Sequence, residues 1–246
     1  MDPVRDLRPA IVFIHGTRLT GAAWVAQRAG LGDTYRVITP DLPGHGTRAD
    51  EPFTLAGAAD GIATLITEEV GGAAVVVGLS LGGFVAMDLA ARRPELVRGL
   101  VLAGASAEPT GLLTLPLRVF SALMTSVDPA VQASLNAWYF RRRYPPAIAE
   151  PLIAGGFHAV GGVQALRALD GQRFAPRLAA YPGPTLIVNG AWDPFFRLGA
   201  PAFAAVAVSA SRVRIAGAAH LSNLDRPAAF NGAVRRFVAS LPTAAR

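Results

Sequence analysis

The chain has 246 residues, is 52% hydrophobic and only 16% charged, and contains no cysteine. These values suit one domain with a sizeable core, and they exclude a disordered chain, disulfides, thiolate metal ligands and a cysteine nucleophile. The formal net charge is +6 and every basic side chain apart from histidine is arginine, yet the arginines are dispersed, so nucleic-acid binding has no support beyond net charge.

In chain order, no apolar stretch follows a basic start in the first nine residues, so no secretory signal is expected and a cytoplasmic location is the default. Ala10 to His15 is a short β-branched run and predicts a strand. Arg36 to Leu42 predicts a second strand, ending in the loop Pro43-Gly44-His45-Gly46. Leu55 to about Val70 has helical spacing. The apolar stretch from Gly71 to Ala91 is nearly long enough to span a membrane, but its glycines, Ser80, Asp88 and a change of period argue for a buried strand running into a helix. The strand is Ala73 to Leu79 and the helix Gly82 to about Arg93, stopped by Pro94. Val97 to Ala103 is a further strand.

From about Ser106 to Tyr181 the alternation breaks, with helix-like patches and no convincing strand. Bulky apolar residues such as Leu113, Leu117, Phe120, Met124, Trp138 and Phe157 fall here, as does the run Arg141-Arg142-Arg143. That run reads as a solvated helix end, or else as an anion contact at a pocket mouth. Strands resume at Pro184 to Gly190 and Arg212 to Ala216, and Arg226 to Leu241 reads as an amphipathic helix. The expected architecture is α/β: a mostly parallel sheet flanked by helices, with a helical insertion after the fourth recognisable strand. Residues 1–105 and 182–246 would form the core and residues 106–181 a cap over the sheet edge where open α/β folds bind ligands.

The chemistry centres on Gly78-Leu79-Ser80-Leu81-Gly82, a G-x-S-x-G pattern between a predicted strand and a predicted helix. A serine hydroxyl is a poor nucleophile unless held exposed beside a base, and a sharp strand-to-helix turn holds it so. The base must be one of four histidines, and His220 follows the last strand on the same sheet edge as Ser80. Asp193, also just past a strand, completes the order serine, acid, histidine, with Glu108 as the rival acid. The backbone N–H groups of Thr17 and Leu81 are the natural oxyanion donors. His15 reads as structural. Trp24 walls the pocket or is a core aromatic; Leu117, Phe120, Trp138 and Trp192 are further candidates for contact with substrate. Arg18 reads as a surface arginine, or as a group that steers an acidic lactone. No cluster with metal-ligand spacing is visible, so neither metal nor cofactor is expected.

Four stretches together resemble the α/β-hydrolase superfamily over essentially the whole chain: His15-Gly16 after a strand, Asp41-Leu42-Pro43-Gly44-His45-Gly46, Gly78-Leu79-Ser80-Leu81-Gly82-Gly83, and Gly217-Ala218-Ala219-His220 leading to Pro227. Ala218-Ala219-His220-Leu221-Ser222-Asn223 is similar to enol-lactone hydrolases of aromatic catabolism, and the Asp41 to Gly46 stretch is similar to general esterases and methylesterases. The resemblance implies a cofactor-free hydrolase with a helical cap. The chain departs from the pattern at its start, where the usual strand pair is missing or reduced to Val4–Leu7, and it lacks the Gly-Gly extension of some lipase loops. A serine at position 80 argues against epoxide hydrolases and haloalkane dehalogenases, which use aspartate there. The expected function is hydrolysis of small, largely apolar carboxylic esters or lactones. The alternatives are a thioesterase, a C–C bond hydrolase, or a ligand-binding protein on a hydrolase scaffold.

Overall fold

The structure is a computed structural model that describes residue 6, residues 8–110, residue 119 and residues 126–242. Among these residues six parallel strands form one sheet in the order β2-β1-β3-β4-β5-β6. The strands are β1 (Ala10–Ile14), β2 (Arg36–Ile38), β3 (Ala74–Leu79), β4 (Val97–Ala103), β5 (Pro184–Gly190) and β6 (Ser209–Ile215). Parallel neighbours need crossovers, and the crossovers are helices that cover both faces. That is why β3 reads as an unbroken apolar run, with every residue buried.

One face is covered by α2 (Leu55–Leu65) and α3 (Leu81–Arg92), whose core includes Leu55, Ile62, Val85 and Leu89 packed with Val12, Val76 and Leu100. The other carries α1 (Val25–Leu31) and the C-terminal helix at Pro227–Ser240, where Leu31, Phe230 and Val234 pack on Ile11, Val75 and Val77. Between β4 and β5 lie α4 (Pro129–Arg143), α5 (Pro146–Gly155), α6 (Ala159–Leu169) and α7 (Ala175–Ala180). These four do not form one body apart from the sheet. Phe174, Leu178 and Tyr181 join the main core, and the Tyr181 hydroxyl donates to the Val97 carbonyl at 2.9 Å. Earlier in the segment, Phe140, Tyr144, Ile148 and Leu152 make a separate cluster with Leu19 and Leu224. After β5 come α8 (Phe196–Val206), the short α9 (Ser222–Asp225) and the C-terminal helix, α10.

Several boundaries differ from the sequence expectation. β2 stops at Ile38, four residues early, because Pro40 has no N–H for the ladder and Asp41 instead holds a loop. The Asp41 carboxylate accepts from the Gly21 amide at 2.8 Å and the Thr47 amide at 2.8 Å. The helix expected to run to Val70 is α-helical to Leu65 and widens into a π turn over Ile66–Val70. β6 begins at Ser209 rather than Arg212. The stretch expected at Val4–Leu7 lies outside the described residues apart from Asp6. Residues 71–91 divide into β3 and α3, and no helix among the described residues is long and apolar enough to cross a membrane.

Candidate active site

β3 leads straight into α3, and the one residue between them is Ser80. Its backbone sits at φ 51°, ψ −115°, a region that a residue with a side chain rarely occupies. The turn is tight enough that its flanking glycines are obligatory. A Cβ on Gly78 would lie 2.3 Å from the Gly82 carbonyl oxygen, and one on Gly82 would lie 2.1 Å from that of Ile14. The result lifts Ser80 off the end of the central strand, at the head of α3. Leu81, the first residue of that helix, has no intrahelical acceptor for its N–H, so this group is free to serve the site.

Asp193 and His220 meet although they come from different strand ends. The loop after β5 and the loop after β6 are stitched together by the Trp192 amide, which donates to the Ala218 carbonyl at 2.9 Å. His220 Nδ1 lies 2.9 Å from Asp193 Oδ2. The other carboxylate oxygen, Oδ1, accepts from the Phe195 and Phe196 amides, each at 3.2 Å. Burial of Asp193 works to raise its pKa, but the His220 hydrogen bond, the histidine charge and those two amides outweigh it, and the carboxyl is held below its ordinary value. An ionised Asp193 makes Nδ1 of His220 the protonated nitrogen and leaves Nε2 as the acceptor. The imidazole also stacks on the Phe196 ring, 5.1 Å between centroids and 22° between planes. Asp225, buried in turn, accepts from the Ala219 amide at 2.7 Å, from Arg143 at 2.7 Å and from the Tyr144 hydroxyl at 2.9 Å. The segment that carries His220 is thereby tied to α4.

Ser80 opens into a cavity of about 110 Å³. Thr17 and Leu81 line it at the Ser80 end, and Phe84, Pro109, Leu166, Leu169, Phe195 and Phe196 supply apolar walls. Thr17 follows β1 in a loop that other residues hold in shape. The Arg18 amide donates to His45 Nε2 at 3.1 Å, and Arg18 takes a left-handed φ of 64°. His45 Nδ1 in turn faces the Pro43 carbonyl at 2.9 Å, and His15 Nε2 accepts from the Leu42 amide at 2.9 Å. Both rings are therefore neutral, protonated at Nδ1. Burial pushes His15 down to about 3 and also lowers His45, with the charge of a neighbouring histidine adding to the effect on each. The Thr17 N–H has no acceptor among the described residues, and the Thr17 hydroxyl contacts the Gly162 carbonyl at 3.4 Å.

The expected residues divide accordingly. Ser80, Thr17 and Leu81 share one cavity; Asp193 and His220 form a pair whose imidazole stacks on Phe196, a wall of that cavity. Glu108 lines the cavity too, but its carboxylate accepts from the Phe174 and Ala175 amides at 2.7 and 2.8 Å and so caps α7 rather than facing a histidine. Trp24 does not wall the pocket: it is fully buried in the core, 4.8 Å from the Phe13 ring and 5.9 Å from that of Phe230. Trp138 is 66% exposed and borders a separate surface depression with Arg141 and Arg142, so it does not reach Ser80. Trp192 is 69% exposed and turned outward; only its backbone serves the site. Leu117 and Phe120 lie outside the described residues. Arg141 pairs with Glu150 and Arg143 with Asp225, which accounts for two of the three arginines in the run as helix-end ion pairs. Sequence reasoning missed Phe84, Leu166, Leu169, Phe195 and Phe196. Phe84 was findable, four residues past the nucleophile on a helix that starts at it, and Phe195 and Phe196 follow directly on the acid loop.

A family model described as the alpha/beta hydrolase family matches residues 11–233. Among curated proteins, a 3-oxoadipate enol-lactonase from Acinetobacter baylyi is 26% identical, over 92% of this chain and 87% of its own length. A pimeloyl-[acyl-carrier protein] methyl ester esterase from Xanthomonas oryzae is 29% identical, over 95% of this chain and 96% of its own. Among solved structures, a thermophilic esterase from Thermogutta terrifontis superposes with a TM-score of 0.80 at 27% identity, covering 96% of this chain and 91% of that one.

Proposed function

Because the chain belongs to the alpha/beta hydrolase family, we propose that it cleaves carboxylic esters or lactones of small, largely apolar acids through an acyl-enzyme on Ser80. The observation that carries this reading is the Asp193–His220 pair beside a strained Ser80 that opens into an apolar cavity. Ser80 Oγ attacks the substrate carbonyl while Nε2 of His220 takes its proton. Asp193 fixes the tautomer and stabilises the imidazolium. The oxyanion is held by the N–H groups of Thr17 and Leu81. His220 then protonates the leaving alkoxide, and a water molecule activated by the same histidine releases the acid. No hydrogen bond joins Ser80 to His220 among the described residues; such contacts commonly tighten only when substrate is bound.

The cavity walls decide the substrate. Leu166 and Leu169 come from α6, so the segment between β4 and β5 selects what Ser80 meets. Each added methylene buried there contributes about 0.8 kcal/mol, roughly fourfold in binding, so selectivity among short neutral esters is graded until the cavity is full. The test is a panel of p-nitrophenyl esters of increasing acyl length, with lactones and thioesters, on the wild type and Ser80→Ala. The variant is expected to lose on the order of 10³-fold or more in turnover. Near-wild-type hydrolysis by Ser80→Ala would refute the acyl-enzyme. A marked preference for a carboxylate-bearing lactone, lost in Arg18→Ala, would overturn the choice of apolar substrates.

A further inference from the structure

A row of phenyl rings runs from the core to the imidazole. Phe174 is fully buried, and its ring lies 4.5 Å from that of Phe84, which sits on α3 four residues past Ser80. The Phe84 ring is 6.4 Å from that of Phe196, and Phe196 stacks on His220 at 5.1 Å with 22° between the planes. Phe84 and Phe196 are also walls of the cavity that opens from Ser80. Phe196 therefore belongs to two surfaces at once, the one an acyl group touches and the one the imidazole rests on. Burial accounts for Phe174 and Phe84, but not for a partly exposed ring laid nearly parallel to the base.

The backbone that carries this ring is tied down on both sides. The Phe196 amide donates to Asp193 Oδ1 at 3.2 Å, and the Phe196 carbonyl accepts from the Ser106 hydroxyl at 2.7 Å. Further along α8, Gly199 lies directly against the chain: a Cβ there would sit 1.9 Å from the Ser106 carbonyl oxygen. His220 is held less firmly. Its side chain is 39% exposed and Nδ1 is fixed on Asp193. The main chain of Gly104 closes the same edge of the ring, where a Cβ would lie 2.9 Å from Nδ1 and 3.0 Å from Cε1. A ring pinned at one nitrogen rocks about it, and the far nitrogen, Nε2, moves most. Stacking on Phe196 opposes that rocking, because near-parallel rings keep their contact only while neither tilts. A small displacement of the base costs rate steeply.

We propose that Phe196 is a positioning residue that couples the filling of the acyl cavity to the aim of His220. This rests on the ester-hydrolase reading and extends it. An acyl group that fills the cavity packs on Phe196, backs the ring against the imidazole and narrows the range of Nε2. A short acyl group binds but leaves the ring without that support. Part of the binding energy of each added methylene is thus expressed at the base, in kcat, instead of in KM alone. Release of the acid gains as well, because the acyl group stays in the cavity after the alcohol leaves and the same histidine activates water.

The first measurement is kcat and KM for p-nitrophenyl acetate, propanoate and butanoate, each scaled to its hydroxide rate, in the wild type, Phe196→Leu and Phe196→Tyr. In the wild type kcat is expected to rise about threefold or more from acetate to butanoate. Phe196→Leu keeps an apolar wall but no ring to stack, so it should flatten kcat across the series and lower it for butanoate about tenfold. Phe196→Tyr, which keeps the ring, should restore the rise. The second measurement needs no turnover. The His220 Nδ1 proton is followed by NMR in histidine-labelled protein and assigned by its loss in His220→Gln. Saturating butyramide, a neutral mimic of the acyl group, should slow exchange of that proton with water in the wild type and not in Phe196→Leu. The proposal is overturned if acyl length changes KM but not kcat in the wild type, if the rise survives in Phe196→Leu, or if butyramide protects the proton equally in both. Should the wild type hydrolyse none of these esters, the ester reading fails, and the proton still decides whether Phe196 holds the base.

Discussion

Two pairs of side chains flank Ser80, and both contain histidine. His15 and His45 lie under the loop after β1, with ring centroids 5.1 Å apart, and each accepts a backbone amide at Nε2. His220 stands on the other side, its side chain 39% exposed, with Nδ1 against a carboxylate and Nε2 unclaimed by any described residue. Residue type is the same throughout; what differs is which nitrogen has been spent. In the first pair Nε2 is occupied by main chain and burial keeps the ring neutral, so those histidines can only hold a shape. In the second the carboxylate takes Nδ1 and leaves the other nitrogen for chemistry. A histidine is read by its partners, not by its place in a motif.

The sharpest way to break this contrast is to remove each partner in turn. His220→Ala is expected to lower kcat by on the order of 10³-fold or more, and combining it with Ser80→Ala should be hardly worse than either alone. Asp193→Asn should also cost on the order of 10³- to 10⁴-fold by presenting the wrong tautomer. Steady-state kinetics with one good ester suffices, and a larger loss in Glu108→Gln than in Asp193→Asn would reverse the acid assignment.

The shaping pair should give a smaller and different loss. His45→Leu leaves the Arg18 amide without its acceptor and lets the Thr17 donor drift. The expected fall in kcat is between about tenfold and a hundredfold, less than the loss of a whole oxyanion donor. KM should change little, and His45→Gln, which keeps an acceptor, should recover part of the rate. Unchanged kcat in His45→Leu would remove His45 from the site altogether.

The smallest effect is on stability and appears in acid. Folded His15 titrates at about 3 against 6.5 when unperturbed, and His45 is also lowered. The unfolded chain therefore takes up protons first as pH falls. Stability from these two rings is complete above about 6.5 and is lost progressively towards 3, because protonation favours the unfolded state. The lowered carboxyls of Asp41 and Asp193 act in the same direction, but only below the ordinary carboxylate range. Tm should thus begin to decline between pH 6.5 and 5, before the carboxylates contribute, and less so in His45→Gln. A flat Tm across that interval would contradict the neutral, buried assignment.

The sheet and the placement of Ser80, Asp193 and His220 just past strand ends were legible because their signals are local. Ala-Val-Val-Val before Gly78 marks a buried strand, and a glycine-flanked serine at its end marks the turn. The cavity walls that α6 supplies were not legible. Leu166 and Leu169 are spaced like any amphipathic helix, and nothing along the chain says that one of its faces meets Ser80 rather than plain core. Phe196 follows directly on the acid loop, but Pro194, Gly199 and Pro201 obscure the helix that carries it. Trp24 misled in the opposite sense: it follows the oxyanion loop in sequence, but its turn carries it to the face of the sheet packed by Phe230.

The backbone at residue 80 has a consequence for how this protein could change. A conformation at φ 51° and ψ −115° costs a residue bearing a Cβ on the order of 1–3 kcal/mol, and glycine much less. On the proposed mechanism, heat tolerance and turnover are therefore opposed at a single position. A lineage selected only to survive higher temperature would drift towards glycine there and keep its shape while losing its reaction. One selected for the reaction must carry the strain and recover stability elsewhere, and the two sheet faces far from Ser80 are where such compensation has room to accumulate.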